Sequence, residues 1–397
     1  MRNKTLTLFF VFAISMLILS GIWWLNQPSQ PALASPAEPV APQAFASEPF
    51  ALTSFSLPGY GNSTCSLPYF DLNDGQLAPS LHVMNAIHYT QEVTLYLWGP
   101  EGGSMATPAA ILTRTLEPYQ STLFTPEDLQ GVLAGDNIYI GSGLVRVDDG
   151  NIACLVKHAP TTPASPNFLA AYAPETLIYA TFPWIGAPRE DLRPVLYINN
   201  ADQGDVPANI KFVIFHSATD LITIPLTISP HNTLRYDFAA EGAWSPGENF
   251  SVQLRRPEGE YVYISAYLAW EDVQNIPIEI TTGSSFGAYD AQIIPSLHHQ
   301  ETGLRSEGWA MVESEHTDLV ETTLDYHTPL GALAPFGEYL FLPTLQPQPI
   351  LMPLASQNFD WAGSALMSGS SAAMPYYHSV IVERQESDGP GVDLGGY

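Results

Sequence analysis

The sequence predicts an all-β fold in which three tandem antiparallel β-sandwiches follow an N-terminal hydrophobic segment and a Pro/Ala-rich linker. Three observations lead there. First, a set of landmarks recurs in the same order three times. An apolar-proline pair stands at Leu67-Pro68, Phe182-Pro183 and Ile294-Pro295, separated by 115 and 112 residues, and a leucine follows nine positions after each proline at Leu77, Leu192 and Leu304. TLEP, TISP and TLQP begin at Thr115, Thr227 and Thr344, and the apolar runs IACLV, ISAYL and HSVIV begin at Ile152, Ile264 and His378. Recurrence at a fixed period is the signature of a repeated structural unit. Second, the stretches between landmarks alternate with a period of two, as half-buried strands do. Third, Gly, Pro, Asn and Asp punctuate the chain often, and helical periodicity is scarce.

The elements follow in order. Residues 1–26 carry Arg2 and Lys4 ahead of an almost uninterrupted apolar run from Thr5 to Leu25 that ends in Trp23 and Trp24. Its length favours a membrane anchor with the basic end in the cytoplasm, and a signal peptide cut after Ala32-Leu33-Ala34 is the competing reading; both export the chain. Residues 27–50 are rich in Pro, Ala, Ser and Glu, a composition that gives an extended, semi-rigid spacer. The three repeats occupy 51–160, 167–273 and 277–385, joined by PTTPASP from Pro160 and DVQNIP from Asp272. Within them VTLYLW from Val93, IKFVIF from Ile210 and VETTLDY from Val320 occupy corresponding places. Each TxxP closes a strand, because proline has no amide hydrogen to continue the ladder. PEDLQGVLAG, from Pro126, reads as one short helical turn, and residues 386–397 read as a disordered tail without a strand pattern.

Repeats of this length, built from many short strands, point to two-sheet sandwiches. The chain here resembles the immunoglobulin-like or fibronectin-like modules of bacterial secreted and surface proteins. The resemblance covers residues 51–385 and rests on the apolar-proline pair, Asn85-Ala86 and Asn200-Ala201 before the long strand, TxxP, and Gly141-Ser142 and Gly363-Ser364. The third repeat departs with Val312-Glu313 and the second with Phe250-Ser251, so the resemblance carries over no functional residue.

The chain has two cysteines, Cys65 and Cys154. In an exported protein they imply one disulfide, the alternative being two buried thiols. On the repeat alignment a bond would join the first strand of the first repeat to its last, contributing about 3–4 kcal/mol by chain entropy. The counterparts in the other repeats, Ala180 with Ala266 and Gln292 with Ser379, are not cysteines.

Among 397 residues, 40 are Asp or Glu and 13 are Lys or Arg, a net charge of -27. That field repels nucleic-acid backbones and anionic lipid headgroups, so no nucleic-acid partner is expected and the membrane enters only through the N-terminal segment. Motifs for nucleophilic hydrolysis, zinc, nucleotides and dinucleotides are missing, and no cofactor is expected. The densest ionisable stretch runs from Val312 to His327: Glu321, Asp325 and His327 share a strand face, with Glu313, Glu315, His316 and Asp318 around the preceding turn. Such groups could serve as acid and base or hold a metal, and a solvated sheet face is the simpler reading. His298-His299 would point to opposite faces of one strand. DLNDG from Asp71 and VDDGN from Val147 suggest calcium loops weakly, and Asp-Gly turns more simply. Trp184, Trp244 and Trp361 fall where loops are expected, and exposed rings there could stack on sugars. The expected function is that of a non-catalytic exported surface or stalk protein, with an extracellular protein or glycan as partner. The alternatives are an extracellular carbohydrate-binding module and a hydrolase using the acidic cluster of the third repeat.

Overall fold

The computed structural model describes residues 63–396 apart from 74–77, 160–169, 173–178, 258–259, 261–262, 283–287, 300–303, 315–318, 329–332, 351–360, 370–375, 386–391 and a few single positions. The N-terminal segment, the spacer and the first expected linker lie outside the described residues. The chain is predominantly β, and its named strands pair antiparallel.

In the first block β1 (Thr64–Asp71), β2 (Ala78–Asn85), β3 (Gln91–Trp98), β4 (Ala110–Leu116), β5 (Ser121–Phe124), β6 (Ile140–Arg146), β7 (Ile152–Ala159) and β8 (Ala170–Tyr172) make two four-stranded sheets. We term the one ordered β1-β6-β3-β4 the front sheet and the one ordered β5-β2-β7-β8 the back sheet. The second block repeats this order. There β9 (Tyr179–Ile185), β14 (Phe250–Arg255), β11 (Ala208–Phe215) and β12 (Leu221–Ile228) form the front sheet. Its back sheet holds β13 (Thr233–Asp237), β10 (Arg193–Asn200), β15 (Ile264–Glu271) and β16 (Pro277–Thr282). In the third block, after the two-residue β17 (Ala288–Tyr289), the front order is β18 (Ala291–His299), β23 (Trp361–Gly369), β20 (Leu319–His327) and β21 (Leu333–Pro343). The back strands are β22 (Gln348–Ile350), β19 (Leu304–Glu313), β24 (Tyr376–Gln385) and β25 (Val392–Gly396). A pairing of His299 with Arg305 fuses these two halves into one nine-stranded sheet.

Alternation explains the cores. Val93, Leu95 and Leu97 of β3 are fully buried, as are Phe212 and Ile214 of β11 and Leu324 and Tyr326 of β20, while the residues between them look outward. Each block has its own apolar cluster enclosed by residues of both sheets. The cluster of the first block also takes in Val195, Tyr197, Tyr267 and Ala269 from the second. Those four lie on β10 and β15, which are buried nearly throughout rather than on alternate residues. Each of these strands therefore has a covered face on both sides.

Four expectations from the sequence are amended. PEDLQGVLAG opens a real helix, α1 (Pro126–Leu133), because Thr125 and Asp128 form a reciprocal capping box, Pro126 starts it, and Leu129 and Leu133 are buried. TLQP is not the counterpart of TLEP and TISP. The turn after β4 and β12 places Tyr119 and His231 in the left-handed region, and in the third block that conformation belongs to Leu345. Gln120, Asn232 and Gln346 then close the same turn by donating to the carbonyls of Glu117, Ser229 and Pro343. Phe341 therefore matches Thr115 and Thr227, and TLQP lies three residues late. Finally, the tail is not without strand structure: Val392–Gly396 forms β25 against β24, just as β8 and β16 line the otherwise open edges of β7 and β15. The stretch read as the second linker is thus the turn between β15 and β16, in which the Asn275 amide donates to the Asp272 carbonyl at 3.1 Å.

Candidate interaction surface

Buried polar and charged side chains gather where the blocks meet. At the first junction the outer face of the front sheet of block one covers the outer face of the back sheet of block two. Ser66 Oγ on β1 donates to Asn199 Oδ1 on β10 at 3.1 Å, and Ser142 Oγ on β6 donates to the His231 carbonyl at 2.5 Å. The Thr233 hydroxyl donates to the Pro68 carbonyl. Asn199 is aimed by its own Nδ2, which donates to the Asn232 carbonyl and to Thr233 Oγ1. The Trp98 indole stacks on the His231 ring at 3.8 Å and 11°, with both side chains 1% exposed. Beside them the Gly103 amide donates to the Pro230 carbonyl and the Met105 amide to Asp205 Oδ1. Gly102 has φ +71°, and any Cβ there would run into the Pro230 carbonyl, so this approach requires glycine.

A charged network lies behind this contact. Glu271 on β15 is fully buried. Tyr197 donates its hydroxyl to Glu271 Oε1 at 2.5 Å, Arg235 reaches Oε2 at 2.5 Å, and Arg193 stands 3.9 Å away while meeting Asp237 at 3.4 Å. The rings of Tyr69, Tyr197 and Tyr267 follow at centroid steps of 4.8 Å across the seam. Burial, and then the nearby carboxylates, push the Tyr69 and Tyr197 phenols well above the usual tyrosine range, so both remain donors.

The second junction reuses the same design. The outer front face of block two covers the outer back face of block three, and Ser251 Oγ on β14 donates to the Leu345 carbonyl at 2.7 Å. Ser251 matches Ser142, and Leu345 matches His231, so the bond is repeated with its register preserved. Around it Gln253 Nε2 and the Tyr179 hydroxyl donate to Glu313 Oε2 at 2.9 and 3.2 Å, with Arg255 3.8 Å from the other oxygen. His378 Nε2 lies 3.9 Å from Glu313, and burial holds the imidazole down to about 4. Trp184 stacks on Trp309 at 3.6 Å and 8°.

The candidate residues read from the sequence are distributed differently from the expectation. Cys65 and Cys154 form a disulfide from β1 in the front sheet to β7 in the back sheet. The acidic stretch does not converge. Glu313 is drawn into the second junction, whereas Glu321, Asp325 and His327 lie on the outer front face of block three; Glu315, His316 and Asp318 lie outside the described residues. His298 and His299 are consecutive on β18. The Asn73 amide donates to Asp71 Oδ1 at 2.8 Å, an Asx turn, and Asp74 and Gly75 are outside the described residues. Asp148 pairs with Arg146 at 3.1 Å beside a cleft whose lining includes Tyr89, Gln91, Glu92 and Asp149. Among the described residues, no group of three or more His, Cys, Asp or Glu is placed to hold a metal.

Trp184 and Trp244 are buried, at 1% and 6% exposure, and neither is a surface platform; the side chain of Trp361 is outside the described residues. Among the described residues the exposed rings include Tyr89, Tyr119, Tyr263 and Tyr376, and Tyr339 and Phe341 on β21, which meet edge to face at 5.3 Å. Sequence reasoning missed the buried Glu271 and the junction role of the serines, of which Ser142 and Ser251 entered only as repeat landmarks. The signal for Glu271 was the absence of alternation in RPVLYINN and ISAYLAWE, since a strand apolar on both sides has a second neighbour to face. No protein-family model, curated protein or solved structure matches the chain.

Proposed function

We propose that the chain is a non-catalytic, exported surface or stalk protein with a structural or adhesive role, built as three tandem immunoglobulin-like sandwiches. The observation that carries the reading is the repeated junction. The same serine position on β6 and β14 reaches the same left-handed turn of the following block, and each seam is sealed by stacked rings. Contacts so regular fix one block on the next, which suits a rigid spacer rather than modules swinging on linkers. The Cys65–Cys154 disulfide supports an oxidising compartment.

A carbohydrate-binding module is the second reading, favoured by the exposed Tyr339 and Phe341. A hydrolase draws less support, because Glu313 faces the junction while Glu321 and Asp325 face outward on the front sheet.

The test is direct. Intact cells expressing the full chain with a C-terminal tag are treated with an impermeant biotinylation reagent, and the purified chain is applied to a glycan array. Labelled chain with a silent array is the expected result. An unlabelled chain sinks the exported reading, and selective glycan capture lost in Tyr339→Ala replaces the stalk with the binding module.

A further inference from the structure

The two junctions define a donor face and an acceptor face, and one of each is left over. The donor is the outer front face, whose footprint in blocks one and two is almost fully covered: Ser142 is 2% exposed, Leu144 1%, and Ser251 and Gln253 are fully buried. The corresponding positions of block three are Ser364 and Leu366 on β23, fixed by the pairings Ser142 with Trp98, Ser251 with Phe215 and Ser364 with His327. Ser364 and Leu366 are only half-buried. The acceptor is the outer back face. Asn199 and Ser265 of block two are each 2% exposed, and Met311 and His378 of block three are 0% and 2% exposed. Their counterparts in block one, Met84 and Ala153, are half-buried and exposed. The turn that receives the serine is present there too, since Tyr119 holds the left-handed conformation of His231 and Leu345 and is 64% exposed.

We infer that the outer front face of block three docks the outer back face of block one of a second copy of this chain, with Ser364 donating to the Tyr119 carbonyl. The inference rests on the reading of the chain as a rigid series of blocks, and adds that the series continues between molecules. Continuity with the two internal junctions selects the occupant: a donor face of this type covers an acceptor face of the following block, and among the described residues the uncovered acceptor belongs to block one. Charge agrees. The donor face carries Glu321 and Asp325 beside Thr323, and the acceptor face carries His82 and Lys157, whose proximity, after burial, depresses the His82 imidazole. Because the two faces are different patches, the contact is heterologous and does not close on itself as a two-fold pair would; copies add head to tail.

Two single-cysteine variants of the full chain test this, Ser364→Cys and Pro118→Cys, the latter in the exposed acceptor turn; the native cysteines are already bonded to one another. Each is treated with a short bismaleimide alone, and then both are mixed. The expected result is a dimer-mass product in the mixture and little in either variant alone, lost when the Ser364→Cys chain also carries Leu366→Arg, which puts a charge at the position that Leu144 buries in the first junction. Adducts within one variant alone, or no adduct in the mixture, overturn the inference. In the latter case, a chain that is still biotinylated on intact cells leaves the proposed stalk function standing, so the two failures are distinguishable.

Discussion

Glu271 shows how much the first junction asks of one side chain. A carboxylate without solvent contact is tolerable only with its partners in place, and here Tyr197, Arg235 and Arg193 surround it. Glu271→Gln keeps the shape but leaves the guanidinium groups uncompensated, so it should destabilise the protein by about 3 kcal/mol, read as a lower urea midpoint at unchanged slope. Ser142→Ala, which removes one neutral donor from a carbonyl, should lose only about 1 kcal/mol by the same measurement. In the sequence Ser142 is only a repeat landmark, and Glu271 is marked only by the lost alternation of its strand. The alternation that buries Val93, Leu95 and Leu97 is visible in the letters, because it depends only on which side of a strand a residue occupies. Trp184 is buried in the core of block two beside Trp270 and is capped by Trp309, far along the chain, and a loop-like FPWIG gives no hint of it. Glu313 misled for the same reason: its neighbours in sequence are acidic, whereas its neighbours in space are Gln253, Tyr179 and Arg255.

At the scale of elements, the long strands were legible and the short ones were not. β3, β11 and β20 bear their own period, while β8, β16 and β25 exist because β7, β15 and β24 offer an unpaired edge, and no local pattern announces that. The disulfide, by contrast, follows from the repeat alignment, which placed the two cysteines on the first and last strands of one block; Cys154 lies on β7, with β8 added beyond it. It closes a loop of 89 residues between facing sheets. On the chain-entropy account its reduction should lower the stability of the first block by about 4 kcal/mol. Hydrogen exchange with and without reductant should show faster exchange in residues 64–159, with the β11 and β20 amides unchanged until the junction itself opens. A general loss of protection across all three blocks would mean that they unfold as one. Within the same block α1 is held by its cap, so Thr125→Ala should lose about 1 kcal/mol, visible as faster exchange in residues 126–133 alone.

The whole molecule places a buried imidazole at each seam, and this gives it a direction of response to acid. His231 sits against Trp98 at the first junction and is depressed by burial, with Asp205 at 3.5 Å opposing the shift only in part. His378 sits at the second and is held down to about 4 by burial, with Glu313 beside it on β19 and Tyr179 and Arg255 on the facing block. A histidine whose folded value lies below its unfolded value near 6.5 contributes its full stability above that pH. As pH falls below 6.5 the unfolded chain takes up a proton that the folded chain refuses, and stability declines until the folded group titrates near 4. For His378 the loss across this window is about 3 kcal/mol, less whatever a protonated ring recovers from Glu313. Falling pH also relieves the self-repulsion of a chain with net charge -27, an effect of opposite sign spread over the entire surface. The two separate in a variant. His378→Gln should leave the general carboxylate response and remove the local one, so the difference in urea midpoint between parent and variant should shrink or reverse between pH 7 and pH 4.5. A difference that stays constant over that range would mean that the second junction does not exclude the proton, and with it that block three is not seated on block two in solution.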